Sequence, residues 1–444
     1  MLKRYKEMGS RKMKILNVLP HPRDCTILEN CNLSGTEYEI HEIPVGTNEK
    51  YLPVPACNLD SIDANLCAYV DNAVAYIKQH GISHVLFTSD LGSIAGAAIC
   101  ERTGLPGPTV ESQFLCLHKY YTRKAEPSKL RFDYIDLNDG NAWKAKVWYP
   151  CYIKAAFLQN TMCHFVIHNE EEMEDALQSA RRWLRPWFDL VKPFLQRYVD
   201  LEKYPLATSE VLVIEEFVKD FDAMLCVEGW VTADKHYQIF ATKEYTYYSE
   251  PVSFNNTTFP SHMKPQVKAE VEEYALQVVQ RFNLSNQFFN VELWKRGSRL
   301  DVTEVNSRIS SNCETLYNLG YGVSLYKASV HVACGEKEKA LKESPGKEKC
   351  IAGDFTINVR GEGYLGDMID FQKAKSLGEI EEVYDATGKR GITMFGDENC
   401  VVGKEARFMV GCFYVFAQSH ELMMKKADVI LSQLYKHPDY RPRP

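Results

Sequence analysis

No apolar run in this 444-residue chain is long enough for a secretory signal or a membrane span. That absence makes a cytoplasmic protein with no membrane partner the expectation. The fourteen cysteines fall into no Cys-x-x-Cys pair and no Cys/His zinc spacing, so reduced thiols are expected and a cysteine-held metal is not. There is no cluster of Lys and Arg with interleaved aromatics, and the formal charge of -7 and isoelectric point near 6.0 speak against a nucleic-acid-binding face. The dinucleotide fingerprint G-x-G-x-x-G is also missing from the early α/β region. Small molecules remain as partners.

What is present describes a multidomain globular chain. Hydrophobic residues make up 45% and charged residues 25%, which places it among globular rather than disordered proteins. Its length exceeds what one core usually holds, so about three domains are expected. After a basic leader, Lys14 to Leu19 and Tyr38 to Val45 read as strands, Ile62 to His80 carries a helical stripe, and His84 to Asp90 is a buried-type strand entering a small-residue helix. Strand and helix in alternation imply a parallel sheet with ligand loops at its carboxyl edge. Gly104 to Pro108 breaks the chain. Thr109 to Arg123 reads as one helix with Lys119 and Arg123 on one face, Tyr149 to Lys154 as a strand ending on a lysine, and Glu170 to Leu201 as helical segments interrupted by Pro186 and Pro193. Val211 to Val218 is a strand whose apolar run ends in Glu215 and Glu216.

The richest stretch runs from Asn286 to Asn312, NQFFNVELWKRGSRLDVTEVNSRISSN. Two extended runs flank Arg296-Gly297-Ser298-Arg299, a short glycine-containing turn. A hairpin symmetric about Ser298 sets Glu292 opposite Glu304 and Asn290 opposite Asn306. Phe289, Val291, Leu293 and Val305 then share the core face, and Asn290, Glu292, Glu304, Asn306 and Arg308 the polar one. Opposed carboxylates about 5 Å apart repel each other. A hard divalent cation such as Mg2+, with its preference for oxygen ligands, relieves that repulsion. An exposed face with two glutamates splayed into solvent is the other reading of the same spacing.

The ordered set of an open α/β unit, GLPGP with HKYYTR downstream, a strand-end lysine, EEFV, NVEL and TEVNSR resembles the ATP-grasp ligases. That superfamily includes D-alanine ligase, biotin carboxylase, carnosine synthase and bacterial L-amino acid ligases. The resemblance covers about residues 14 to 336. It implies an α/β and α+β chain with the ATP-grasp fold: a basic leader over 1–13, an N-terminal open α/β domain over 14–110, and ATP-grasp subdomains over 111–212, with the helical insertion, and 213–336, with the metal site. A charged linker over 337–350 and a C-terminal α+β extension over 351–444 complete it. It further implies Lys119 and Lys154 on ATP phosphates, Glu215, Glu216 and the Val218 backbone at adenine, and Asp222 at ribose. Glu292, Glu304 and Asn306 would bind Mg2+ or Mn2+, and Arg308 and Lys154 would carry the catalysis. Glu228, Arg308 and Ser311 would line an acceptor pocket, Glu228 for an amino group and Arg308 for a carboxylate.

The implied activity is an ADP-forming carbon-nitrogen ligase that activates a carboxylate as an acyl phosphate and couples it to an amine. A homodimer is compatible with it. One departure stands out: Ala155 to Val166 contains no glycine where the family carries a flexible Gly-rich lid, leaving Thr161 or His164 to approach the phosphates. An ATP-grasp enzyme of nucleotide or carboxylation metabolism, and an ATP-binding regulatory protein with weak turnover, are the other readings. The missing lid glycines favour the last, and the full Glu292, Glu304, Asn306, Arg308 set opposes it.

Overall fold

Apolar runs alternating with helical stripes build a parallel sheet at the start of the chain. The computed structural model describes residues 12–31, 33, 37–43, 65–157, 163–247, 254–346, 350–380, 382–402 and 408–442. In it β1 (Met13–Val18), β2 (Tyr38–Glu42) and β3 (His84–Phe87) pair in the order β2-β1-β3, all parallel. Almost all of the expected leader, together with Thr161, lies outside the described residues. The helix Leu66–His80 buries Leu66, Tyr69, Val70, Ala73, Val74 and Ile77 along its expected stripe. The helix Asp90–Thr103 starts at the carboxyl end of β3, capped by Ser89, whose side chain accepts from the Gly92 amide. A side chain at Gly92 would meet the Val18 carbonyl at 2.6 Å. Its small residues therefore let this helix lie against β1 and bring Asp90 to the ligand edge of the sheet.

The segment from Thr109 to Arg123 is two helices, Val110–Leu117 and Lys119–Ala125, where one was expected. His118 between them is extended, and the Lys119 amide donates to the Ala156 carbonyl at 2.8 Å. The break docks Lys119 onto the second sheet. That sheet consists of β4 (Phe132–Asp136), β5 (Cys151–Ala155), β6 (His164–Ile167) and β7 (Val211–Glu216), antiparallel in the order β4-β7-β5-β6. The boundary drawn at 212/213 cuts β7, which belongs to this sheet. The interrupted helix is continuous, Glu170–Tyr198, with both prolines inside it. Each proline removes a donor, but Met173, Leu177, Ala180, Leu184, Leu190, Val191 and Phe194 are buried along one face on either side of Pro186. Tertiary packing carries the helix past both prolines.

The third sheet has nine strands among the described residues. It contains β8 (Ala223–Val231), β9 (Tyr237–Tyr247), β10 (Phe254–Phe259), β11 (Gln287–Arg296), β12 (Arg299–Asn306) and β13 (Ile351–Val359). β14 (Gly363–Tyr364) and β17 (Val401–Val402) pair with each other, while β15 (Val383–Tyr384), β16 (Thr393–Met394) and β18 (Phe408–Ala417) complete the sheet. Its order is β12-β11-β8-β9-β10-β13-β18-β15, with β16 also on β18. The C-terminal extension thus prolongs the sheet of the hairpin. Lys337–Lys342, expected as a charged linker, is a short helix whose Ala340 is buried in the core of the preceding helices. No described helix is long and apolar enough to cross a membrane.

The hairpin reaches its expected pairing by an unexpected route. Arg296 faces Arg299 across a two-residue Gly297-Ser298 turn, with Gly297 at φ 57°. That register alone would set Glu292 opposite Thr303. Thr303 is instead an extra residue between the pairs Leu293↔Val302 and Glu292↔Glu304, a β-bulge that restores both expected oppositions. The bulge also turns Val302 to the same side as Val305. Both pack with Phe289, Val291 and Leu293 against Val271, Ala275, Val278 and Val279 of the helix Pro265–Gln280.

Close packing of β8 against its neighbours gives a direct test of this sheet. A Cβ on Gly229 would meet the Gln238 carbonyl at 2.5 Å and the Phe289 ring at 2.6 Å. Gly229→Ala is expected to lower unfolding free energy by about 1–3 kcal/mol, read from urea denaturation. An unchanged midpoint would show that the two strands are not this close.

Candidate active site

The site is assembled where the second and third sheets meet. Lys154 lies one residue before the end of β5, and Glu215 lies on the neighbouring β7; Lys154 Nζ is 3.1 Å from Glu215 Oε1. Arg123, from the helix Lys119–Ala125, grips the same carboxylate through two bonds, Nε to Oε1 at 2.8 Å and Nη2 to Oε2 at 3.0 Å. Arg123 also pairs with Glu126 at 3.0 Å. The bulge of the third sheet completes the network: the Thr303 carbonyl accepts from Lys154 Nζ at 3.1 Å and Arg123 Nη2 at 3.2 Å, and the Val302 carbonyl accepts from Arg123 Nη1. A buried ion pair survives only when its remaining donors and acceptors are satisfied, and here backbone oxygens satisfy them.

Next to this network lie the opposed carboxylates. Lys119 Nζ is 2.9 Å from Glu304 Oε1, whereas Glu292 makes no hydrogen bond or ion pair among the described residues. Asn306 Nδ2 donates to Asn290 Oδ1 at 2.9 Å, and Asn290 Nδ2 donates to the Arg308 carbonyl at 3.2 Å. Arg308 is held by Asp90 through Nε at 2.7 Å and Nη2 at 3.1 Å. A cavity beside the cluster is lined by Asp90, Lys119, Phe157, Trp187, Glu304 and Asn306.

The two opposed glutamates titrate apart. Burial, followed by repulsion from Glu304, pushes the Glu292 carboxyl well above the usual glutamate range. Burial acts on Glu304 in the same sense, but Lys119 and Lys154 outweigh it and hold that carboxyl low. Burial, reinforced by the neighbouring Arg123 and Lys119 charges against the pull of Glu215, lowers Lys154 to about 8. His164 is pushed down to about 3 by burial and by Lys119 and Lys154, so it is neutral, with Nδ1 2.8 Å from the Tyr152 hydroxyl.

The other expected residues spread further. Glu216 is 3.0 Å from Arg296, Val218 is buried, and Asp222 is exposed, its Oδ2 accepting from the Gly297 amide at 2.7 Å. Glu216 and Asp222 thus reach the turn end of the hairpin. Glu228, expected to line an acceptor pocket, lies inside the protein. Its carboxylate is fully enclosed and accepts from Lys243 at 3.0 Å, the Ser310 amide at 2.6 Å and the Tyr317 hydroxyl at 3.0 Å. Every nearby donor is internal, so it shapes the loop after Arg308. Ser311 accepts from Arg23 Nη2 at 2.7 Å.

No family model and no curated protein matches this sequence. Solved structures do. An L-amino acid ligase from Bacillus licheniformis is 14% identical, with 96% of this chain covering 98% of that one at a TM-score of 0.69. A carboxyaminoimidazole ribonucleotide synthase from Aspergillus clavatus, complexed with ATP, is 13% identical over 95% of this chain and 98% of that one, TM-score 0.65. A biotin carboxylase from Campylobacter jejuni is 13% identical over 96% and 92%, TM-score 0.58. This chain has the ATP-grasp fold. The likeness takes in the C-terminal extension, beyond the 14–336 span of the sequence resemblance.

Within this ATP-grasp chain, two residues escaped sequence reading as parts of the site. Asp90 carried only the signal of an acidic residue opening a helix after a buried strand. Arg123 showed itself as a helical neighbour of Lys119, with no hint that it would grip Glu215. Removing one partner of a buried pair strands the other's charge. Arg123→Met is therefore expected to cost about 3–5 kcal/mol of stability by chemical denaturation, and a loss near zero would refute the network. Against burial, Arg123 and Lys154 hold Glu215 at about 2, below its ordinary 4.5. This contribution is complete above pH 4.5 and is lost as pH falls toward 2, so the acid limb of the wild-type stability curve should flatten in Arg123→Met.

Proposed function

We propose that this chain is an ADP-forming ligase that activates a small carboxylate, an amino acid or related acid, with ATP and joins it to an amine. The observation that carries this reading is the Glu292-Glu304 pair, set among Lys119, Lys154 and Arg308 where two sheets meet. Solved structures of like fold add support, among them an L-amino acid ligase and an ATP-bound synthase.

The residues fit a magnesium ion. Among the described residues no group of three or more His, Cys, Asp or Glu side chains could hold a metal unaided, but Mg2+ ordinarily takes one or two carboxylates together with phosphate oxygens. The Glu292 side chain makes no hydrogen bond or ion pair among the described residues, and burial and then the neighbouring Glu304 charge raise it. Glu292 and Glu304 would hold the ion with the Asn306 amide oxygen, since Asn306 Nδ2 is engaged by Asn290. Bound there, Mg2+ supplies neutralisation of charge on the phosphate oxygens.

The chain's own residues have separable tasks in this reading. Lys119 and Lys154 are point donors for phosphate oxygens; Glu215, saturated by Arg123 and Lys154, orients Lys154. The base would lie along Glu216 to Val218, and the ribose toward Asp222. Arg308, aimed by Asp90, stabilises charge that develops as a substrate carboxylate oxygen attacks the γ-phosphorus and ADP leaves. An amine then attacks the acyl carbon of the acyl phosphate, phosphate departs, and loss of a proton leaves the amide.

Two measurements test this. Release of ADP and phosphate from ATP and Mg2+ should depend on adding both a carboxylate and an amine, and Glu304→Gln should reduce it by about 10²–10³-fold with the fold intact by circular dichroism. AMP and pyrophosphate would contradict the acyl-phosphate route, and ATP binding without turnover on any pool would favour a regulatory protein. With Lys154 lowered to about 8, it loses its proton as pH rises through that value. kcat/KM for ATP should fall across the same range, and Lys154→Arg should move that fall to much higher pH. An identical profile in the variant would remove Lys154 from the phosphate site.

A further inference from the structure

Two arginines reach the segment that follows β12, and they differ in what already holds them. Their side chains are about equally exposed, 23% for Arg308 and 22% for Arg23. Arg308 is neutralised: Asp90 takes Nε and Nη2, and the Ile309 carbonyl accepts from Nη1 at 3.1 Å. Arg23, in the helix Pro22–Asn30, donates one hydrogen bond from its side chain among the described residues, Nη2 to Ser311 Oγ at 2.7 Å. Its ion pair is long, Nε to Asp24 Oδ1 at 3.7 Å. That oxygen already accepts from the Tyr326 hydroxyl at 2.6 Å, and the other oxygen of Asp24 accepts from the Thr88 hydroxyl at 2.6 Å. A guanidinium carries five N–H donors, so Arg23 keeps most of its capacity.

Its position gives that capacity a use. β1 and β3 are adjacent parallel strands, so Arg23, beyond the end of β1, and Asp90, beyond the end of β3, stand on the same carboxyl edge. Ligands of open α/β sheets bind at that edge. Asp90 reaches across it to Arg308, and Arg23 reaches across it to Ser311, three residues further on. Both guanidinium groups therefore lie along the Arg308–Ser311 segment, at that edge. The outer edge of Arg23, Nη1 with the second hydrogen of Nη2, has the spacing that accepts a carboxylate through two parallel bonds.

We propose that Arg23 binds the anionic group of the second substrate, so that the amine joined by this protein also carries a carboxylate. The assignment rests on the ligase reading and moves recognition of that carboxylate from Arg308 to Arg23. The acceptor is then an amino acid or a similar amine-bearing acid, and a simple alkylamine is a poor substitute.

The test compares common amino acids with the amines formed by removing their carboxylates. The full chain is assayed for ADP release with ATP, Mg2+ and a pool of carboxylic acids, and by calorimetry for direct binding. In the wild type at least one amino acid should bind about tenfold to a hundredfold more tightly than its decarboxylated amine. Arg23→Met should erase that difference through KM rather than kcat, Arg23→Lys should retain part of it, and ATP affinity should stay the same. Equal treatment of the two sets by the wild type, or a preference that survives in Arg23→Met, overturns the proposal. Carboxylate-dependent binding that requires Arg23, without ADP release, keeps the anion site and removes the ligase reading. ADP release indifferent to Arg23 does the reverse.

Discussion

One buried guanidinium joins the parts of this molecule that have to meet. Arg123 leaves a short helix, closes a two-bond pair on Glu215 of the second sheet, and donates onward to the Val302 and Thr303 carbonyls of the third. Its charge is compensated by Glu215 and Glu126, and Lys154 shares both Glu215 and the Thr303 carbonyl. Charges so deeply buried are stable only as a closed set. The closed set in turn holds the ends of β5 and β7 at a defined distance from the carboxylates of β12.

The β-bulge at Thr303 is what makes that junction geometrically possible. β12 is the edge strand of its sheet, and at the bulge the carbonyls of two successive residues, Val302 and Thr303, are turned to Arg123, the second of them also to Lys154. The same residue sets Glu292 against Glu304 and sends Val302 and Val305 together into the core. A single insertion thus serves packing, charge compensation and the site.

Two chemically identical glutamates then acquire opposite characters from their surroundings. Lys119 and Lys154 hold the Glu304 carboxyl low, while burial and then the Glu304 charge push the Glu292 carboxyl up. The arginines differ in a similar way: Asp90 grips Arg308 through two nitrogens, whereas Arg23 is held by Ser311 and a longer ion pair with Asp24.

Much of the local design was legible in the residues. Alternation separated the core and polar faces of the hairpin, the ordered motifs pointed to the ATP-grasp fold, and the helix over 66–80 followed its stripe. The pairing of Glu292 with Glu304 was also reached, although by symmetry about Ser298 when a tight turn and a bulge produce it. The break at His118 and the continuity through Pro186 and Pro193 were not legible, because contacts with Ala156 and with the buried face of the long helix outweigh local preference. What the sequence determined by itself was periodicity: which face of each element is apolar and which residues share it. Only the tertiary structure decided that Arg123 grips Glu215, Asp90 grips Arg308 and Arg23 meets Ser311, across 92, 218 and 288 residues of chain. Periodicity constrains neighbours three or four residues apart, whereas these ion pairs and hydrogen bonds exist only because separate sheets are folded against one another.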